Sequence, residues 1–206
     1  MAYATWLIPS KLSGSGNDSV SVTAGSDNTG RNARMTNMTF KAANTSDVVR
    51  AVAQAGKPEF VTIQSTAAVA KMGGTLTISG RSNSSKLTFT LGSGATLVLA
   101  LPSTYTANSV STANGAAIAG DPGASQEYDY SITFSGIGEN ETIEALTAQL
   151  IVEDNAGNSA TCSITQAAGD ATLDVSPASV QLDWNAFTQG SSATFTVTSN
   201  TNWTVE

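Results

Sequence analysis

The stretch that decides the fold runs from Cys162 to Trp203 and opens with Cys-Ser-Ile-Thr-Gln-Ala-Ala-Gly. An alternation of apolar and polar residues ends there in a turn of small residues. A second alternating run, Thr-Leu-Asp-Val-Ser-Pro, starts at once, and the stretch closes on Ser-Asn-Thr-Asn-Trp. Because such alternation is typical of a β-strand buried on one face, the stretch predicts a boundary between two β-units.

The same pattern occurs earlier in the chain. Residues 54–56 (Gln-Ala-Gly) match residues 166–169 (Gln-Ala-Ala-Gly), and residues 73–83 align without a gap with residues 190–200, at an offset of 190 − 73 = 117. A repeat at that spacing is a repeat of whole domains. The sequence therefore predicts an all-β fold of tandem immunoglobulin-like antiparallel β-sandwiches, with incomplete units at both ends.

The repeat divides the chain into three units. The interval 57–168 has the length of one complete immunoglobulin-like sandwich. The interval 1–56 is too short for a full set of strands, so it is predicted to be a partial unit that can serve as an anchor. The interval 169–206 is predicted to be the start of a further, incomplete unit.

Composition favours short strands and excludes several functions. Of 206 residues, 40% are hydrophobic and 12% charged, and the net charge is 9 − 16 = −7. A chain of this charge repels nucleic acid, which is therefore not an expected partner. The start at Met1 lacks the basic segment and apolar run of a signal peptide, and no run reaches the roughly 18 apolar residues of a membrane span. Neither export by the usual route nor a membrane partner is expected.

Four local patterns carry further expectations. The run 96–101 (Thr-Leu-Val-Leu-Ala-Leu) is nearly all apolar and predicts a strand buried on both faces. The irregular stretch 102–126 is either a functional loop or conceals a weak strand. Residues 48–53 predict a strand, because they are too few for a lone helix. Residues 154–158 predict a hairpin turn, since they lack the spaced oxygen ligands and closing glutamate of a calcium loop.

Catalytic chemistry has few candidates. The chain has no histidine, which excludes histidine triads, and its lone Cys162 cannot close an intrachain disulfide and is predicted to be a small buried residue. Two carboxylate pairs, Glu127 with Asp129 and Glu139 with Glu141, lie beside turns or on an outer strand face, where a solvated surface role is expected. The sequence therefore predicts no enzyme, no cofactor and no metal site.

Aromatic residues are the remaining candidates for ligand contact, because a sugar ring can stack on them. Four of them lie in alternating runs and are predicted to be core: Tyr128, Tyr130, Phe195 and Trp203. Trp184, flanked by Asp183 and Asn185, is predicted to be partly exposed. Trp184 and Tyr105 are the two candidate glycan-binding residues.

The residues also resemble a known family. Residues 171–205, from Ala-Thr-Leu-Asp-Val-Ser-Pro to Asn-Thr-Asn-Trp-Thr-Val, resemble the front half of BACON domains, which are immunoglobulin-like modules associated with Bacteroidota proteins. Rear-half elements of that family resemble residues 13–16 (Ser-Gly-Ser-Gly), 20–23 (Val-Ser-Val-Thr), 28–31 (Asn-Thr-Gly-Arg) and 53–56 (Ala-Gln-Ala-Gly). The middle unit opens and closes in the same style but departs from the pattern between 92 and 147.

Residues 1–56 thus resemble a rear half without its front, and residues 169–206 a front half without its rear. Three explanations are open. The chain can be the ordered part of a longer protein, which is favoured for the C-terminal unit. The N-terminal unit can pack on its neighbour or on a partner, which is favoured for that unit. The third explanation is that the two halves complete each other between copies, by donation of strands to an open sheet.

The resemblance, combined with a start that lacks an export signal, implies a protein of a bacteriophage particle, since structural proteins of crass-like phages carry such modules. The expectation is a head fibre or capsid decoration protein at the virion surface, assembled in the host cytoplasm and joined to other virion proteins through residues 1–56. A homo-oligomer is expected, a trimer before a dimer, with glycans as a further partner. The alternative is a glycan-binding or spacer module of a secreted or cell-surface Bacteroidota protein.

Overall fold

A computed structural model describes residues 3–184 and 192–206. Within these ranges the chain is all-β, with fifteen strands, a 3₁₀ turn at Pro122–Ala124 and no α-helix. Four strands precede the central unit: β1 (Leu7–Pro9), β2 (Val22–Ala24), β3 (Arg34–Phe40) and β4 (Val48–Gln54). Nine strands form the central unit: β5 (Val61–Ile63), β6 (Thr66–Val69), β7 (Gly74–Ser82), β8 (Leu87–Leu91), β9 (Thr104–Ala107), β10 (Val110–Ala113), β11 (Tyr128–Ile137), β12 (Leu146–Asp154) and β13 (Ser159–Gln166). Two more follow: β14 (Leu173–Ser176) and β15 (Thr196–Ser199).

The central strands form two packed sheets. One has five strands in the order β10-β9-β11-β7-β5, and the other has four in the order β6-β13-β12-β8. β5 pairs with β7, antiparallel, in the five-stranded sheet, and β6 pairs with β13, parallel, in the four-stranded sheet. The chain therefore crosses from one sheet to the other between Ile63 and Thr66. The predicted all-β sandwich architecture is confirmed, and its connectivity is immunoglobulin-like.

The core lies between the two sheets. Its fully buried members alternate along the strands, as half-buried strands require, and include Ile78, Phe89, Ile132, Phe134, Leu150, Val152 and Ile164. The ring of Phe89 packs 4.9 Å from Tyr105 and 5.7 Å from Tyr130, measured between ring centroids. Tyr128 and Tyr130 are core residues, as predicted, and their hydroxyls donate to the carbonyls of Ser84 and Thr62. Burial raises the pKa of both hydroxyls.

Cys162 also behaves as predicted. It is fully buried in β13, in the same cluster as the other core side chains. Burial raises the pKa of its thiol, so the reactive thiolate form is disfavoured.

The strand predicted at residues 96–101 is wrong. The amides of Thr96 and Leu97 both bond to the carbonyl of Thr147, so this segment touches β12 at one point and does not continue as a ladder. Leu97 is buried in the core whereas Val98 is exposed. From this irregular segment Leu97 joins the core cluster, and Leu99 and Leu101 pack against it.

Residues 102–126 do conceal strands. β9 and β10 form a hairpin around Asn108 and Ser109, both of which have positive φ, at 46° and 65°. Two such residues are the requirement of a type I′ turn, which Asn-Gly usually signals. An Asn-Ser pair is a weaker signal, which is why the sequence left this stretch open.

The short sheets at the two ends repeat the pairing of the central sandwich. In the C-terminal hairpin Leu173 pairs with Ser199, and in the sandwich Val61 pairs with Ser82, so the offsets are 173 − 61 = 112 and 199 − 82 = 117. In the N-terminal ribbon β3–β4 the pair Arg34 and Gln54 corresponds, at an offset of 112, to Leu146 and Gln166 in β12–β13. The strand predicted at 48–53 is confirmed as part of β4.

The prediction that Phe195 and Trp203 are core residues is wrong for this chain. Both are about half exposed. Together with Leu173, Val175 and Val197 they line a shallow apolar depression. They sit on the correct face of the hairpin, but no second sheet among the described residues covers that face. Among those residues, too, no helix is long and apolar enough to cross a membrane.

Candidate functional site

The most distinctive constellation is a network of side-chain amides where one unit meets the next. The first joint comprises residues 26–32, 54–60 and 82–84, and it links the N-terminal ribbons to the sandwich. At its centre is Asn83, which is fully buried at the end of β7. Its Nδ2 donates to the carbonyls of Thr29, Lys57 and Pro58, and its Oδ1 accepts from the amide of Phe60 at 3.0 Å. One side chain therefore ties the end of β7 to two other backbone segments, at residue 29 and at residues 57–60.

A second amide secures the other side of the first joint. Asn28 donates from Nδ2 to the carbonyl of Asn32 at 2.8 Å and to that of Ala55 at 3.1 Å. Gln54 donates from Nε2 to the carbonyl of Ser26 at 3.1 Å. The carbonyls of Asn32, Ala55 and Ser26 thus receive donors from the turn before β3 and from the last residue of β4.

The second joint comprises residues 138–144, 166–172 and 199–201, and it links the sandwich to the C-terminal hairpin. Asn140 donates to the carbonyls of Glu144 and Ala167, at 2.8 and 3.0 Å. Gln166 donates to the carbonyl of Gly138 at 2.8 Å. The bonds of Asn140 and Gln166 are the bonds of Asn28 and Gln54 in the first joint, with 112 added to the number of every donor and acceptor residue.

Asn200 takes the place of Asn83 in the second joint. Its Oδ1 accepts from the amide of Thr172, and its Nδ2 donates to the carbonyls of Glu141 and Asp170. These partners are the counterparts of Phe60, Thr29 and Pro58 at an offset of 112.

The neighbouring hydroxyl follows the same rule. Ser82 donates to the carbonyl of Phe60 at 2.7 Å, and Ser199 donates to that of Thr172 at 2.7 Å. The two joints are thus one hydrogen-bonded design used twice.

The joints differ in how much holds them from outside. At the first joint Arg31 donates to the carbonyl of Asn83 at 2.6 Å and forms an ion pair with Asp121. The backbone at Gly30 lies so close to Ser125 that an added Cβ would come within 2.3 Å of the Ser125 carbonyl carbon. At the second joint the position equivalent to Arg31 is Ile143, which is partly exposed. The first joint is therefore the more firmly clamped of the two.

A chain of charges runs along the rim of the first joint. Glu127 lies 3.0 Å from the ammonium of Lys57 and 2.9 Å from the guanidinium of Arg81, which also pairs with Asp129. The hydrogen bond from Lys57 lowers the pKa of Glu127, and the charges of Lys57 and Arg81 act in the same direction. Glu127 and Asp129, considered as a carboxylate pair in the sequence, are thus each tied to a cation.

The two candidate glycan-binding residues lie in different environments. Tyr105 is in β9 with its ring against Phe89, and its hydroxyl accepts from the amide of Leu87. It is buried in the core, so no face of its ring is open to a sugar, and it is removed from the candidates. Trp184 is 93% exposed, beyond β14. The structure does not bring the two together.

Other ligand chemistry is sparse. Among residues 3–184 and 192–206, no group of three or more cysteine and acidic side chains is arranged to hold a metal ion. Asp154, in the predicted turn, accepts from the amides of Ala156 and Asn158 through Oδ1, which is the hydrogen bonding of a turn. The hairpin predicted at 154–158 is confirmed.

Comparison with known proteins gives little. No family model and no curated protein matches the chain. Among solved structures, the chain is similar to the collagen-binding domain of the surface protein RspB of Erysipelothrix rhusiopathiae, with 10% identity and a TM-score of 0.21. The match covers 73% of this chain and 63% of that one, so the chain spans less than two thirds of the length of its structural neighbour.

The sequence repeat pointed to the joints but not to the side chains that build them. The signal was available, because Asn28 and Asn140 are identical residues 112 apart, as are Gln54 and Gln166. Only the structure shows that these four amides brace the backbone on the N-terminal side of each joint, and that the amides of Asn83 and Asn200 reach across the unit boundary to the carbonyls of Thr29 and Glu141. What this arrangement can do chemically is to fix the placement of one unit on the next.

Proposed function

We propose that this chain is a non-enzymatic structural protein of a bacteriophage virion, a head fibre or capsid decoration protein that projects immunoglobulin-like units from the particle. The observation that supports it best is the repeated joint. A protein that serves as a projecting rod needs a connection that can be used again between successive units, and this chain uses one hydrogen-bonded connection twice.

The positions of the joints suit a linear projection. Asn83 of the first joint follows one end of β7, while Lys71 and Gly138, which contact Gln166 of the second joint, lie at the other end. β7 has nine residues, which span roughly 30 Å at 3.3 Å per residue. Units joined at opposite ends of such a strand extend in series and do not cluster.

The virion setting rests on the resemblance of residues 171–205 and of the 13–56 elements to BACON modules. On this proposal, residues 1–56 contact other virion proteins, the protein assembles as a homo-oligomer, a trimer before a dimer, and the outer units face host or mucosal glycans. Mass spectrometry of purified virions tests it. Finding the chain in the particle at a fixed copy number is expected, and its absence from particles of a phage that encodes it overturns the proposal.

The exposure of Trp184 favours a second candidate, a glycan-binding spacer of a Bacteroidota surface protein. A glycan array with the intact chain would then show a ligand whose binding Trp184→Ala abolishes, whereas Trp203→Ala, a matched change at a half-exposed tryptophan, leaves it unchanged. An export signal encoded directly upstream would support this candidate against the virion. Equal binding by wild type and Trp184→Ala excludes Trp184 as the contact.

A further inference from the structure

The two ends of the chain present open strand edges that match each other. Segment 20–22 enters β2, and β2 pairs only with β1 among the described residues. Ser10 donates its amide to the carbonyl of Ser21, and Gly25 donates to that of Trp6. Because alternate residues of an antiparallel strand bond to the same neighbour, the backbone groups of Val20 and Val22 point away from β1, to an edge with no strand on it.

The central sandwich shows what belongs on that edge. Val20 and Val22 correspond, at an offset of 112, to Ile132 and Phe134 of β11. There Ile132 pairs with Ile78, and Phe134 pairs with Leu76, both in β7. Among residues 3–184 and 192–206, therefore, no strand lies beside the N-terminal unit in the place that β7 takes in the complete sandwich.

The C-terminal hairpin contains a strand equivalent to β7 that, among the described residues, has no counterpart of β11 beside it. β15 corresponds to the end of β7 at an offset of 117, and β14 occupies one of its edges as β5 occupies that of β7. The other edge, at Phe195 and Val197, has no strand among the described residues. Apolar side chains on both halves are correspondingly uncovered. Val20 is 38% exposed, against 1% for its counterpart Ile132.

A second pair of strand edges, equivalent to the contact between β6 and β13, is also open at the two ends of the described chain. In the sandwich β6 lies parallel to β13, with Thr66 opposite Ser163. The counterpart of β13 is β4, whose outer edge is unpaired among the described residues. The counterpart of β6 at an offset of 112 is segment 178–181, which is likewise in no described sheet. In the part of the chain that the structure describes, each half is thus without the two strand contacts that the other half offers.

We propose that the missing partner is a second copy of this chain. The C-terminal hairpin of one copy adds to the N-terminal ribbons of the next, antiparallel, with Val20 opposite Phe195 and Val22 opposite Ala193. The two joints lie at opposite ends of β7, so the contact is head-to-tail. Repetition of a head-to-tail contact gives an open chain of copies or a closed ring. The inference holds wherever the protein resides, so it does not rest on the proposed virion role.

A mixed-disulfide experiment tests the register between copies of the intact chain. Val20→Cys and Phe195→Cys are made as separate variants and mixed under oxidation, so that only a contact between copies can join them. Directly opposed residues have Cα atoms about 5.5 Å apart or closer, within reach of a disulfide. Cys162 is buried and is present in every variant. Oxidation of the wild-type protein alone therefore measures any cross-linking through Cys162.

The matched control is a mixture of Val22→Cys with Val197→Cys. These are apolar residues on the same faces but four positions out of register, about 13 Å apart at 3.3 Å per residue. We expect a heterodimer band from Val20→Cys with Phe195→Cys at least several-fold stronger than from the control. We also expect the mass of wild type in sedimentation to rise with concentration, and Phe195→Asp to return it to that of one chain.

Three results overturn the inference. One is a chain that stays monomeric at every attainable concentration and gives no band above the control. Another is an association in which both mixtures cross-link equally. A third is a longer version of the protein whose added segments cover the hairpin and abolish association. Detection of the protein in virions is unaffected by any of them, so the two proposals fail separately.

Discussion

Ile78 and Phe195 occupy equivalent places in two copies of one hairpin, yet Ile78 has no exposed surface while Phe195 is 47% exposed. The same holds for Val61, 8% exposed, and Leu173, 60% exposed. Strand pairing, register and the amide network of the joint are alike in both copies. The difference is a covering sheet. Local sequence is therefore sufficient for the hairpin and its joint, while burial depends on strands that arrive from elsewhere.

The largest expected contrast is between Ile78→Ala and Phe195→Ala. Truncation of Ile78 leaves a cavity in a packed core and should cost about 2–5 kcal/mol of unfolding free energy. Truncation of Phe195 in the monomer should change it by no more than about 0.5 kcal/mol, as at other surface sites. Urea unfolding at the lowest usable concentration measures both. Equal losses would show that the hairpin shares the core of the sandwich.

The second contrast sets Asn83→Ala against Asn200→Ala. Asn83 is buried, so its truncation leaves the amide of Phe60 and several carbonyls without a hydrogen-bond partner. This should lower the unfolding free energy by about 1–3 kcal/mol. Asn200 is exposed, and water replaces its bonds at a cost below about 1 kcal/mol. Hydrogen exchange gives the specific readout: the Phe60 amide should lose protection only in Asn83→Ala, and the Thr172 amide only in Asn200→Ala. Unchanged exchange at both amides would contradict the assigned bonds.

A third contrast concerns the clamp on the first joint. Arg31→Ala removes a charged donor from the Asn83 carbonyl and should cost about 1–2 kcal/mol. Ile143→Ala, at the equivalent position of the second joint, should change little. Limited proteolysis between residues 26 and 32 should accelerate in Arg31→Ala and not in Ile143→Ala. Similar cleavage of all three proteins would mean that the turn is held without the arginine.

The smallest contrast is electrostatic. Glu127 has a lowered pKa in the folded protein, so its pairing stabilises the fold above the ordinary pKa of a glutamate, about 4.3, and is lost as the pH falls through the lowered value. Glu127→Gln should cost less than about 1 kcal/mol at neutral pH, and nothing at a pH below both values. Asp170→Asn, which breaks the exposed pair with Lys71 at the second joint, serves as the control and should have no measurable effect. A penalty for Glu127→Gln that persists in acid would assign its role to packing.

Much of the fold was predictable, because strand alternation is local. The repeat predicted the two unit boundaries, which stay a prediction, and the alternating runs correctly placed Tyr128 and Tyr130 in the core. Tyr105 was misjudged, since its hairpin turn, Asn108-Ser109, carries a weak signal and left its strand unrecognised. The alternation of apolar and polar residues correctly predicts that Phe195 and Trp203 lie on the apolar face of their hairpin. Burial of that face requires a second sheet, and alternation within one strand carries no information about whether that sheet is present.

The joints were predictable only as positions. Asn and Gln at a 112-residue spacing read equally well as ordinary turn residues, because turns favour Asn for reasons of their own backbone. The function of an amide that binds the carbonyl of another segment depends on three-dimensional proximity. A search for identical amide side chains at the two repeat offsets would have found four of them at 112 (Asn28 with Asn140, Gln54 with Gln166) and two at 117 (Asn83 with Asn200).

The identity of the two joints has a consequence for the length of the protein. Since every bond at Asn28 has its counterpart at Asn140, a chain cut between residues 56 and 57 and between 168 and 169 exposes the same ends at both cuts. One period of 112 residues can then be removed or duplicated as a cassette, with each new junction inheriting the amide hydrogen bonds, while a duplicated junction has Thr142 and Ile143 in the places of Gly30 and Arg31. Each added cassette would lengthen the molecule by at least the span of β7, roughly 30 Å. The reach of such a protein becomes a quantity that recombination can adjust in whole steps while the amide hydrogen bonds of the joint are kept.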